Sequence, residues 1–260
     1  MKKIAFLNRN AIKLLAALFM TLDHIGLFFD ISVLRYVGRL AFPLFAFVMA
    51  EGCRYTKSKT HHFALLFGFG VLFQTVYTLA LGHSASLYNV FLTFSVSAVL
   101  IYVLDYAKAC SFAKEKKPFE IAVAWLFFAA AILSAYTLST LLHFDYLFCG
   151  MLFPLLVSLP NPAGEHTPAW LLKLDKKWIR ICLAAVGMLL LAIEIEQRQP
   201  GSFVLQCFAF FALVPLALYN GKKGKRSLKY FFYFFYPLHM VFLWAIYMLI
   251  EIAKLLALHG

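Results

Sequence analysis

Charge is what this sequence has least of. Only 14% of its 260 residues are Asp, Glu, Lys or Arg, against about a quarter in an ordinary soluble domain. That excludes a recognisable soluble domain beside the apolar part. Acidic residues are the scarcer sign, 12 against 24 basic ones, for a net charge of +12. The five cysteines, Cys53, Cys110, Cys149, Cys182 and Cys207, are scattered and form no CxxC pair. Their odd number excludes a complete disulfide framework, and metal-ligand spacing is absent. They read as small packing residues. A cleavable leader is not expected either. Lys2 and Lys3 precede an apolar run, but no small-x-small site follows, and Asp23 and His24 interrupt it. The run reads as a retained first helix. No internal repeat or low-complexity tract stands out.

What is present is hydrocarbon. Apolar residues make up 63% of the chain and the mean hydropathy is +0.81. They come in runs of about 18–25 residues, the length that crosses a bilayer core as helix. The expectation is an all-α, polytopic integral membrane protein, one transmembrane domain over residues 1–260. About nine helices are predicted, near 11–29, 33–53, 62–82, 88–107, 119–141, 145–159, 178–195, 202–219 and 229–257. The second carries Arg39 in its first half, so a re-entrant segment stays open as its alternative.

The basic residues set the expected orientation. Lys2, Lys3, Arg9 and Lys13, then the connections 54–61, 108–118, 160–180 and 220–229, hold 20 of the 24 Lys and Arg. Alternate connections are thus basic, and positive-inside bias puts the N-terminus in the cytoplasm. Topology accounts for the excess charge, so a nucleic-acid partner is not expected. The outer connections, around 30–34, 83–87, 142–144 and 196–201, are too short to build a recognition domain. The 160–177 connection mixes Trp170, Leu171, Leu172 and Leu174 with Lys173, Lys176 and Lys177. It reads equally as an interfacial helix or a solvated loop.

Within apolar spans an ionisable side chain is costly, about 2.5–3.5 kcal/mol on insertion scales, and is a functional candidate by default. Asp23 and His24 lie in the outer half of the first predicted helix. Arg39 lies in the second, and Asn89 and Thr93 at the start of the fourth. Asp145 and Tyr146 open the sixth, Glu51 ends the second, and Gln74 is midway along the third. In the ninth, Tyr236 and His239 share a face on either side of Pro237. An imidazole titrates near neutrality and a carboxylate can orient it, which suits acid–base work. Neighbouring Asp23 and His24 diverge by about 100° on a helix, so Asp145 or another group stands as the orienter of His24. Arg39 has three readings: partner of Asp23, partner of Asp145, or holder of a phosphate or oxyanion. The structural readings stand beside these. Asp23–Arg39 is then a packing ion pair, and Asn89 and Thr93 bond between helices. Glu51 is an interfacial group near Arg54, and Asp105 and Glu194 are solvated. His62 is a loop residue.

Several of these residues form motifs. Met20-Thr-Leu-Asp-His-Ile-Gly26 is followed by Tyr36-Val-Gly-Arg-Leu-Ala-Phe-Pro-Leu-Phe-Ala-Phe47 with Glu51-Gly52. Tyr88-Asn-Val, Asp145-Tyr with Gly150, and Phe232-Tyr-Phe-Phe-Tyr-Pro-Leu-His239 come later. Over nearly its whole length the chain resembles the TraX family of conjugal-transfer proteins. That family tends to have Asp-Tyr-Gly where this chain has Asp145-Tyr146-Leu147. The resemblance implies a fold like the membrane acyltransferases of the acyltransferase 3 type and lysosomal glucosaminide N-acetyltransferase. It implies acetylation of a pilin amino terminus or of a related acceptor, whether peptide, glycan or lipid. It further implies acetyl-CoA as donor, no metal, and a bacterial inner membrane with its lipids as the setting. His24 with Asp23 is then catalytic. Arg39, Asn89, Asp145, Tyr236, His239 and Glu51 shape the tunnel or hold the oxyanion. Buried Asp, His and Arg in kinked helices suit a proton-coupled transporter as well. A structural component of a secretion complex is the third reading.

Overall fold

The computed structural model describes residues 5–81, 89–224 and 228–259. Lys2, Lys3, Tyr88, the 83–87 connection, Lys225 and Arg226 lie outside the described residues. The chain is all-α, with no strand among the described residues. Its helices are α1 (Arg9–Phe28), α2 (Ser32–Gly38), α3 (Ala41–Tyr55), α4 (Lys59–Leu81), α5 (Val90–Phe112), α6 (Pro118–Leu141), α7 (Leu147–Ser158), α8 (Ala169–Leu174), α9 (Lys177–Arg198), α10 (Phe203–Cys207), α11 (Leu213–Ala217) and α12 (Lys229–His259). Among the described residues seven helical stretches are long and apolar enough to cross a membrane, α2 and α3 counting together as Ser32–Tyr55. The protein is a multi-pass membrane protein.

Two predicted spans are corrected. The one placed at 145–159 shortens to α7, whose 12 residues rise only about 18 Å at 1.5 Å each. Its first residue, Leu147, sits at φ +52°, so Asp145 and Tyr146 belong to a turn and not to the helix. The one placed at 202–219 breaks into α10, a 3-10 turn over Phe208–Ala212, and α11. Pro215 has no N–H to give to the carbonyl one turn earlier. The second predicted helix also divides, at Arg39–Leu40, where bonds tighten to Arg39 N–H→Tyr36 O and Leu40 N–H→Val37 O. Pro43 falls in the first turn of α3, where its missing N–H is tolerated.

The chain folds as two compact units, Met1–Phe45 with Val204–Gly260, and Ala46–Phe203. In the first, α1 packs on α2 and α12. Ile12, Ala16, Met20, Asp23 and Gly26 form its buried stripe at three- and four-residue spacing. Asn8 caps α1 by accepting from Ala11 N–H at 3.0 Å. The extended segment before it pairs with the residues that follow α11, Asn220 N–H donating to Leu7 O at 2.8 Å. At the other end of α1, Tyr247 of α12 meets the rings of Phe28 and Phe29.

In the second unit α5 is the central helix, packed by α4, α6 and α7, with α9 on α7. Its small polar residues serve the packing. Ser97 Oγ donates across to Met151 O at 2.9 Å. The short α7 is held at both ends by other helices. Glu194 of α9 accepts from Cys149 N–H at 2.6 Å and Phe148 N–H at 3.3 Å, a carboxylate at a helix N-terminus. Lys108 of α5 donates to Leu159 O at 2.6 Å at its C-terminal end. Glu194 is therefore a capping group and not a solvated one. Of the two readings of residues 160–177, a short helix forms. In α8 Leu171 is buried, while Trp170 and Leu172 are exposed.

Candidate functional site

The first unit gathers five ionisable side chains near one end of α1. Asp23 points to α2 and is buried. Both its oxygens accept from Nη2 of Arg39, the shorter-range pairing at 2.5 and 2.6 Å, and Oδ2 also accepts from Nη1 of Arg35 at 3.3 Å. Of the readings left open for Arg39, pairing with Asp23 is the one observed. Glycine makes the approach of α2 feasible. A Cβ on Gly38 would overlap the Cβ and Cα of Asp23, and one on Gly26 would stand 2.8 Å from Ile31 O. The motif glycines thus bring two guanidiniums to one carboxylate.

His24, one residue on, points to α12. Its Nδ1 lies 2.9 Å from Nε2 of His239, 215 positions away in the chain. The orienter of His24 is therefore neither Asp23 nor Asp145 but another histidine. The second ring is itself fixed. It stacks on Phe235, centroids 5.1 Å apart and 7° between planes, with the Tyr236 ring edge-on at 5.9 Å. His239 Nδ1 lies 2.9 Å from Phe235 O. A carbonyl oxygen only accepts, so His239 Nδ1 carries the proton and, in a neutral ring, Nε2 accepts. His24 Nδ1 must then donate to it, and His24 Nε2 keeps its lone pair. The bond chain assigns the unprotonated imidazole nitrogen to one definite ring position.

The remaining candidates sit in the second unit, each with its own partners. Asn89 is buried and caps α5, its Oδ1 accepting from Phe91 N–H at 3.1 Å. Its Nδ2 donates to Gly70 O at 2.8 Å and Gln74 Oε1 at 3.2 Å. It clamps α4 to α5. Asp145 is exposed on the turn before α7. Glu51 is not the interfacial neighbour of Arg54 that its position implied. It is 5% exposed and accepts from Arg180 Nη1 at 2.7 Å. Arg180 Nη2 donates to Asn161 Oδ1 at 2.7 Å and Asp175 Oδ1 at 2.6 Å, and Arg54 makes a two-bonded pair with Asp175. His62 is helical, within α4, and lies 2.6 Å from Tyr102 Oη. Among the described residues no group of three or more His, Cys, Asp or Glu is placed to share a metal ion.

Sequence reasoning passed over Arg35 and Arg180. Arg35 had one signal, its four-residue spacing from Arg39. Arg180 had none, because its partners come from three other segments.

Fold and site together define a multi-pass α-helical membrane protein with a polar centre built on its first helix. The family model described as TraX protein matches residues 8–247, and the chain belongs to the TraX family. It is 29% identical over 259 residues to the probable fimbrial assembly protein FimC, serogroup H1, of Dichelobacter nodosus, covering 92% of this chain and 96% of that one. It is 31% identical over 96 residues to the uncharacterized protein RP591 of Rickettsia prowazekii, 36% of each chain. No solved structure matches it.

Proposed function

We propose that this protein is a membrane-embedded acyltransferase of pilus or fimbrial biogenesis. It would move an acetyl or longer acyl group from cytoplasmic acyl-CoA to an acceptor amine or hydroxyl on a pilin, peptide, glycan or lipid. The observation that carries the reading is the chain His24–His239–Phe235 O, which leaves an unprotonated imidazole nitrogen in a partly buried site. In an acyl transfer, that Nε2 takes the proton of the acceptor as it attacks the thioester carbonyl. The carbon–sulfur bond breaks, and the proton passes to the departing CoA thiolate. An acyl-imidazole on the same nitrogen is the two-step version. Asp23 serves this chemistry through the arginines it holds, not through the ring. The similarity to a fimbrial assembly protein supports a role at the pilus. The basic connections support an inner-membrane protein with a cytoplasmic N-terminus, where Lys and Arg attract CoA phosphates.

The test is transfer from radiolabelled acetyl-CoA by purified protein to peptides bearing a free amino terminus. General-base catalysis contributes about 10²–10⁴-fold, so His24→Gln is expected to lose at least the lower figure while keeping its elution profile and melting temperature. His239→Phe should lose activity too, and ring-nitrogen NMR should show His24 leaving its Nδ1–H form. Wild-type transfer by His24→Gln would falsify the assignment. Two bonded imidazoles also form a proton path, which favours a proton-coupled transporter as the second reading. Uptake into proteoliposomes driven by a pH gradient without CoA would select it.

A further inference from the structure

The Asp23 cluster holds two guanidiniums and one carboxylate, a net charge of +1. The other acidic residues of that unit are Asp30, exposed on the turn, and Glu251, bonded to Lys254 at 2.8 Å. Asp23 is engaged unequally. Arg39 takes both oxygens at close range, whereas Arg35 makes one long bond of 3.3 Å through Nη1. The Arg35 side chain is 27% exposed against 13% for Arg39, so a ligand can reach it. Its N–H groups form a flat fork that matches a carboxylate or a phosphate. The side chains of Asp23 and His24 face different helices, but Arg35 and Arg39 both lie within electrostatic reach of the His24 ring, so a group held on Arg35 stands near that imidazole.

We infer that Arg35 and the Asp23–Arg39 pair behind it form an oxyanion-binding subsite for a carboxylate or phosphate group. Arg39 with Asp23 is the fixed half, set by the close approach at Gly38. Arg35 is the reading half. The oxyanion belongs either to a soluble substrate or to a phospholipid headgroup, and both present the same atoms to the fork. Joined to the acyl-transfer reading, and resting on it for this step alone, the subsite makes the acceptor an anionic molecule whose amine or hydroxyl is placed at His24 Nε2.

Binding is measured without CoA or turnover, so loss of the acyl-transfer reading leaves the test intact. Protein in a non-ionic detergent is titrated with inorganic phosphate and with acetate at constant ionic strength, chloride replacing them in the control. Melting temperature is the readout. In parallel, retention of phosphatidylglycerol against phosphatidylcholine is followed by native mass spectrometry. The expected result is anion-specific stabilisation or selective phosphatidylglycerol retention, weakened at least tenfold in apparent affinity by Arg35→Gln. Arg35→Lys should recover part of it, and Arg198→Gln, which removes an exposed arginine of α9, should leave it whole. A response to soluble anions identifies a substrate group, and a response to phosphatidylglycerol alone identifies a headgroup. The inference is overturned if the wild type responds to neither source, or if folded Arg35→Gln responds as the wild type does.

Discussion

Replacing Gly38 with alanine tests whether the polar centre depends on backbone contact between α1 and α2. The new Cβ would overlap the Cβ of Asp23, with the Cα of Asp23 at 2.6 Å and its Oδ1 at 2.5 Å. Two of these three atoms are at the root of the side chain, so no rotamer change relieves the clash. The helices must part. Overpacking a tight interior costs about 1–3 kcal/mol, and an obstacle that cannot swing aside belongs at the upper end. Parting the helices also lengthens the Arg39 and Arg35 bonds to Asp23, so about 3 kcal/mol is the expected loss. For chains near this length each kcal/mol moves the melting temperature by about 2–4 °C, which predicts a fall of about 6–12 °C. Gly68 is the control, since a Cβ there meets nothing within 4 Å. Its change to alanine should be neutral or stabilising by up to about 1 kcal/mol, the helix preference of alanine. Both variants are measured by thermal unfolding in the same detergent. A Gly38→Ala melting temperature within 2 °C of wild type, or an equal fall at Gly68 (the 2 °C being about the smallest shift worth 1 kcal/mol), would refute the reasoning.

Two further outcomes follow from the second unit. Leu147 opens α7 at φ +52°, a conformation costing an L-residue roughly 1–2 kcal/mol. Leu147→Gly should therefore be more stable than Leu147→Ala by about 1 kcal/mol, the reverse of helix propensity, and urea or thermal unfolding of the pair decides it. Arg180 is 5% exposed and bonds to Glu51, Asp175 and Asn161. Arg180→Met should cost about 3–5 kcal/mol by taking the guanidinium away from buried Glu51, while Asp175 keeps its pair with Arg54. Arg180→Lys should recover little, because a single ammonium lacks the fork geometry. Recovery of the wild-type melting temperature by lysine would show that charge alone matters there.

Residues of the family motifs Met20–Gly26 and Tyr36–Phe47 proved to be neighbours, and their glycines explain why the spacing is what it is. The Asp-Tyr-Gly departure also has a physical meaning. Leu147 adopts a left-handed backbone that glycine enters at no steric cost. Asn89 was legible as a helix opener, since a capping side chain acts on atoms two or three residues away. Span length was less legible. Hydropathy ran unbroken through residues 202–219, and the break near Pro215 depends on backbone hydrogen bonding that a hydropathy window does not see.

By itself the sequence determined the membrane class, the long spans, the sign of each connection and the presence of Asp23, His24 and Arg39 within apolar stretches. These follow from quantities that add up along the chain, namely apolar length and charge. Partnership was decided only by the tertiary structure: His24 with His239, Arg35 joining Arg39 on Asp23, and Glu51 with Arg180 across 129 positions. Successive side chains on a helix turn by about 100°, so facing partners depend on how each helix is rotated about its axis. That rotation is set by close contacts such as Gly38 on Asp23, which exist only once the helices have packed.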